Sequence, residues 1–134
     1  MKGLLLDTQL LVWVGYTPQR LGDPLAAELE DRRREIHFSV VSIWELAIKA
    51  SLGRDDFQVN PPALRMGLIE QGFLELPIQV DHVLGVQHLL RIHRDPFDRL
   101  LVAQGARERL TLLTADRTLL GYGDGVQWMG EEPR

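Results

Sequence analysis

The sequence predicts an α/β fold, with a central, mainly parallel sheet of about four to five strands between two layers of helices. Two observations carry that prediction. Apolar runs of strand length recur along the 134 residues, and longer stretches with helical character lie between them. Such alternation implies a parallel sheet covered on both faces, with right-handed crossovers. No internal repeat, low-complexity tract or long linker divides the chain, so residues 1–134 are expected to form one domain.

The elements follow in order. "GLLLD" (3–7) reads as a short buried strand ended by a polar switch, and "TQLLVWVGY" (8–16) as a helix. "GYTPQRLGD" is a turn-rich connection, after which 24–34, rich in Ala, Glu, Leu and Arg, reads as an exposed helix. "EIHFSV" (35–40) is the second strand, and the helix over 41–52 is stopped by Gly53. "PPALRMGLIEQG" (61–72) opens on prolines and closes on glycine, as helices do, and "FLELP" (73–77) alternates like a strand. Residues 80–91 and 96–109 read as two further helices. "LTLLT" (110–114) is a buried strand, 116–121 a short helix and "VQW" (126–128) a last strand.

Composition narrows the function. An apolar share of 45% and a charged share of 25% are ordinary for a globular protein. The absence of cysteine excludes disulfides, thiolate zinc sites and cysteine nucleophiles. The apolar run "GLLLDTQLLVWV" is interrupted by Asp7, lacks a small-residue cleavage site and is too short to span a bilayer. A cytoplasmic protein without membrane attachment is the expectation. The net charge of −4 argues against a bulk electrostatic grip on nucleic acid. "DRRRE" (31–35) and "RIHR" (91–94), the densest basic segments, read first as solvated helix faces or ends.

Ligands of open parallel sheets bind beyond the carboxyl ends of the strands, and four acids fall there. Asp7 follows "LLL", Asp116 follows "LTLLTA", Glu45 lies on the first turns of the helix after "IHFSV", and Asp98 lies on the first turn of the helix from 96. Each also has a local explanation. Asp7 or Thr8 could cap the helix at 8, "SIWE" (Ser42 to Glu45) matches a capping box, and Glu45 could pair with Lys49. In "DPFD", Asp95 could cap and Pro96 open the helix that carries Asp98, and Asp116 could cap the helix at 117. Capping, however, requires no convergence. Two carboxylates ~5 Å apart repel by about 3 kcal/mol at an effective dielectric near 20. Four in one cleft need a cation or bound protons. A hard divalent ion suits an all-oxygen set, and magnesium would polarise a phosphate and activate water there. No G-x-S-x-G, P-loop or H-E-x-x-H competes, and "GYGDG" (121–125) reads as a loop. The four histidines have no ligand spacing. His93, near the acidic helix start, reads as a supporting or solvent-facing group.

"LLLDT", "SIWELAIKASLG", "HRDPFDRLLVAQ" and "LLTADR" resemble, in order, the signature segments of PIN-domain ribonucleases, and within them the VapC-type toxins of type II toxin–antitoxin systems. The resemblance runs from residue 3 to about 128. It implies a three-layer α/β/α fold and an Mg2+- or Mn2+-dependent endoribonuclease whose catalytic, metal-binding acids are Asp7, Glu45, Asp98 and Asp116. It implies supporting polar roles for Thr8, Ser42 and Thr114, an RNA substrate, a small cognate antitoxin and a homodimer. Gln9 departs from the family, where histidine is common. Arg20, Arg94 and Arg99 are candidates for gripping RNA. Two other readings stay open on the residues themselves: another metal-dependent phosphoryl hydrolase, such as a DNA nuclease or phosphatase, and a non-enzymatic α/β module with an acidic pocket.

Overall fold

A computed structural model describes residues 3–130. Five short strands, β1 (Leu4–Leu6), β2 (Ile36–Ser39), β3 (Leu74–Leu76), β4 (Thr111–Thr114) and β5 (Val126–Trp128), form one sheet of order β3-β2-β1-β4-β5. Every pairing is parallel. Six α-helices connect them: α1 (Thr8–Tyr16), α2 (Asp23–Glu30), α3 (Val40–Ser51), α4 (Pro61–Glu70), α5 (Val80–Gly85) and α6 (Pro96–Glu108).

The pleat explains the three layers. Successive side chains of a strand face opposite sides, so "LLL" feeds two cores. Leu4 and Leu6 pack with Leu10, Leu11, Trp13, Leu46, Leu64 and Leu68 on one face. Leu5 packs with Val41, Leu100, Leu101, Leu112 and Leu119 on the other. A central strand buried on both sides must be apolar throughout, and the chain turns polar at Asp7, where the strand ends.

Three elements differ most from the sequence expectation. The helix expected over 80–91 stops at Gly85 and passes into a 3₁₀ turn, Val86–His88. The Val86 carbonyl is taken by the Leu89 N–H at 3.2 Å and by Arg99 Nη2 at 3.2 Å, so no further α-turn forms there. The helix from 24 ends at Glu30, where the Asp31 side chain turns to cap its own loop through Arg33. The short helix at 116–121 is 3₁₀, Arg117–Tyr122.

One buried polar residue fixes α6. Gln104 is fully buried, accepts from the Ser39 hydroxyl at the end of β2, and donates to the Pro77 carbonyl at 3.3 Å. A buried amide left unpaired would cost about 1–3 kcal/mol, so these bonds hold α6 in one position against the strand ends.

A cleft of four carboxylates at the strand ends

The sheet order places the site. The chain leaves β1 toward β2 and returns to pair β4 on the other side of β1, so a crevice opens beyond the carboxyl ends of β1 and β4. Asp7 follows β1 directly and Asp116 lies just past β4. Glu45 comes from α3 and Asp98 from the first turn of α6. All four line one cleft of about 700 Å3, together with Thr8, Gln9, Lys49, Arg117 and a fifth acid, Asp56, that the sequence reading did not single out.

Asp7 is 4% exposed and both its oxygens are bound. The Leu10 N–H donates to Oδ1 at 3.0 Å; the Thr114 hydroxyl and the Ala115 N–H, the latter at 3.1 Å, donate to Oδ2. It therefore does cap α1, and it also ties α1 to β4. Burial raises its pKa above the usual carboxylate value, against those three bonds, and Glu45 adds repulsion.

Glu45 does not cap α3. Ser39 does, accepting from the Val41 N–H at 2.9 Å, because β2 runs into α3 with no intervening loop. The cap thus lies three residues before the capping box expected at Ser42. Ser42 and Glu45, three residues apart, instead share one helix face. Thr8 Oγ1 lies 2.7 Å from Glu45 Oε1 and 2.9 Å from Ser42 Oγ. A hydroxyl has one proton, so with Glu45 ionised Thr8 donates to the carboxylate and accepts from Ser42. Lys49 Nζ stands 3.2 Å from the other oxygen, as the i,i+4 spacing predicts.

In "HRDPFDR" the roles divide. Asp95 accepts from the Phe97 N–H at 2.8 Å and the Asp98 N–H at 3.1 Å, so it is the cap. Asp98 accepts no hydrogen bond from any described residue. The nearest basic side chain is His93, with Nε2 3.6 Å from Oδ2. Burial, then the charges of Asp95 and Asp7, push its pKa up to about 7, with His93 opposing. Phe97 packs edge-on against Trp44 at 4.7 Å, and Leu100 and Leu101 are buried, which seats the helix that carries Asp98.

Asp116 contrasts with both. Burial raises its pKa, but the bonds from Thr118 and His93 together outweigh burial and leave it lowered. Oδ1 accepts from the Thr118 N–H at 2.9 Å and hydroxyl at 2.7 Å; Oδ2 faces His93 Nε2 at 3.0 Å.

His93 is thus part of the site, in the supporting role, rather than the solvent-facing one, that its place near the acidic helix start suggested. By distance alone, His93, Asp98 and Asp116 could surround an ion, their ligand atoms lying within 4.8 Å of one another. The hydrogen bonding favours a different role. The Asp95 N–H donates to His93 Nδ1 at 3.1 Å, which places the ring proton of the neutral form on Nε2. Nε2 then donates to Asp116 and offers no lone pair to a metal. The carboxylates are the donor set, and their chemistry fits a hard divalent cation: four oxygen-bearing groups, two with raised pKa values, one without any hydrogen bond.

Of the arginine candidates, none of Arg20, Arg94 and Arg99 lines this cleft. Arg20 stacks over Trp13 at 4.5 Å. Arg117 does line it, with its guanidinium 3.6 Å above the Trp128 ring.

A PIN domain family model matches residues 4–124. Several solved structures share the fold at low sequence identity. A toxin–antitoxin complex from Klebsiella pneumoniae aligns with TM-score 0.69 and 19% identity, over 97% of this chain and 100% of the other. DNA-bound VapBC from Salmonella typhimurium gives 0.68 and 15%, over 96% and 99%. VapBC2 from Rickettsia felis, bound to a promoter DNA fragment, gives 0.70 and 13%, over 96% and 98%. No curated protein matches the sequence.

Proposed function

This chain belongs to the PIN domain family, and from that we propose that it is a divalent-metal-dependent endoribonuclease, the toxin of a type II toxin–antitoxin pair. The observation that carries the proposal is Asp98: a carboxylate on the wall of an acidic cleft, with its pKa raised to about 7 and no hydrogen-bond donor serving it among the described residues. A divalent cation near that oxygen set would relieve repulsion that His93 and Lys49 offset only in part.

Asp7, Glu45, Asp98 and Asp116 would hold Mg2+ or Mn2+, which when bound supplies Lewis-acid polarisation of the scissile phosphate and acidifies water. The remaining roles belong to this chain's side chains. Leu10, Thr114 and Ala115 fix Asp7 at the base of the cleft, so its oxygens are in place before metal or substrate arrives. Thr8 and Ser42 orient Glu45, and Lys49 partly neutralises it. His93 and Thr118 hold Asp116. Such supporting hydrogen bonds commonly change metal affinity or activity by about 10–100-fold when removed.

The solved relatives named as toxin–antitoxin and VapBC complexes support an antitoxin partner. So does an exposed apolar stripe at four-residue spacing along α3 and its C-cap: Trp44 is 50%, Ile48 40% and, just past the helix, Leu52 60% exposed, a pattern that protein partners cover. The homodimer, the single domain over 1–134 and a cytoplasmic location belong to the same proposal. Among the described residues no helix is long and apolar enough to cross a membrane.

The experiment is incubation of purified protein with total cellular RNA, followed by mapping of new ends by sequencing. Magnesium, manganese and chelator arms run beside an Asp7→Asn control. Cuts at few positions that require metal and Asp7 are expected. A folded, antitoxin-free protein that leaves RNA intact but cleaves DNA or a phosphomonoester would move the assignment to another phosphoryl hydrolase. No turnover at all would favour the binding module.

A further inference from the structure

A second cavity of about 700 Å3 lies beside the acidic cleft and has the opposite character. Arg91, Arg94, Arg99 and His93 line it with Gln87, and no carboxylate is among its lining residues. In a chain of net charge −4 that concentration is not what composition supplies. Arg91 and Arg94 are exposed and make no hydrogen bond or ion pair with any described residue. Arg99 is held differently: its Nη2 donates to the Val86 carbonyl at 3.2 Å, and its Nε is buried without a partner. The guanidinium is fixed where it is by backbone, with no acid balancing its charge.

The two cavities meet at one residue. His93 lines the basic one while its Nε2 bonds Asp116 on the wall of the acidic one. The segment is pinned there, since the Tyr122 hydroxyl accepts from the His93 N–H at 3.2 Å and the Asp95 N–H is bound to the ring. Arg91 and Arg94 therefore flank an anchored point at the edge of the carboxylate cluster.

We propose that Arg91, Arg94 and Arg99 form a phosphate-binding subsite that grips the backbone of single-stranded RNA next to the bond being cut. The inference rests on the nuclease reading and deepens it. A polyanion approaching four carboxylates is repelled until it finds compensating cations, and these three lie one side chain away. Guanidinium groups suit phosphate because their N–H fork matches two oxygens at once. Arg94 and Arg99, two of the three arginines named from the sequence as candidates for gripping RNA, are here joined by Arg91 in one cavity, and Arg20 is not among its lining residues.

The test measures binding of a short fluorescent single-stranded RNA in chelator, as a function of KCl. It compares wild type, Arg91→Ala/Arg94→Ala, Arg91→Lys/Arg94→Lys and an Arg54→Ala control, and reads metal-dependent cleavage separately. Each phosphate contact to a single strand contributes about 0.7 to the slope of log K against log salt. The double alanine variant should lose about 1.4 from that slope, while the lysine variant retains most of it and the control is unchanged. In cleavage, the alanine variant should raise KM several-fold with kcat nearly preserved. An unchanged slope and KM with cleavage intact would overturn the subsite and leave the nuclease reading standing. A wild type that neither binds nor cuts RNA would overturn both. Loss of binding to an acidic peptide, with RNA binding intact, would show the patch to be a protein dock and overturn the RNA assignment.

Discussion

Asp7 and Asp98 line the same cleft and both have raised pKa values, yet the fold treats them in opposite ways. Asp7 sits at the end of a central strand, accepts three hydrogen bonds and links β1, α1 and the end of β4. Asp98 sits at the start of a helix, is half-buried, and accepts none. The first is a structural carboxylate that also faces the cleft. The second is a charge placed where the protein gains nothing from it without a ligand. Sites that hold a strained group for function show this kind of local cost.

The comparison breaks most visibly under substitution. Asp98→Asn should reduce metal-dependent cleavage by about 100-fold or more, since it removes an oxygen donor from the cation set. The same change should stabilise the metal-free protein at pH 8 by about 1–2 kcal/mol after allowance for solvent screening, read by thermal or urea unfolding. Asp7→Asn should also lose activity, but with the opposite effect on folding. Its amide presents N–H groups to donors already aimed at it, and a loss of about 1–3 kcal/mol is expected. If Asp98→Asn destabilises as much as Asp7→Asn, the distinction between them is wrong.

pH sharpens the contrast. Asp98 takes up its proton near pH 7 when folded and near 3.8 as an unperturbed group. Between those values the folded state binds more protons, so the contribution of Asp98 to stability grows as pH falls from about 7 toward about 4. Metal competes for the ionised form. Mg2+ or Mn2+ should therefore raise Tm more at about pH 8 than at about pH 5.5, with protons released on binding at the lower pH. The smallest effect belongs to the cap: Asp95→Asn should cost about 1 kcal/mol or less and leave cleavage near wild type, because asparagine caps nearly as well. A folded Asp95→Asn protein without activity would contradict the assignment of capping to Asp95.

Much of this was legible in the sequence because it is local. "LLL" ended by Asp7, proline at the start of α6 and Gly53 after α3 are signals within a few residues, and they mark where elements start and stop. What was not legible depends on distant donors. "SVVSIWE" offers two serines as caps for α3, and only the direct run of β2 into α3 selects Ser39. The helix after Val80 carries on by periodicity, and the carbonyl at which it changes is shared between the Leu89 N–H and Arg99, thirteen residues beyond Val86. His93 has no ligand spacing; its place between Asp98 and Asp116 arises from β4 and α6 meeting at one edge. Gln104 is likewise a polar residue on an apolar helix until Ser39 and Pro77 are seen beside it.

The most direct test of a metal site centred on Asp98 is a Mn2+ titration at about pH 8, followed by electron paramagnetic resonance of the free ion, with wild type and Asp98→Asn in parallel. Saturable binding in the wild type, weakened by about 10-fold or more in the variant, is the predicted result. Equal binding by both, or none by a folded wild type, would contradict the account.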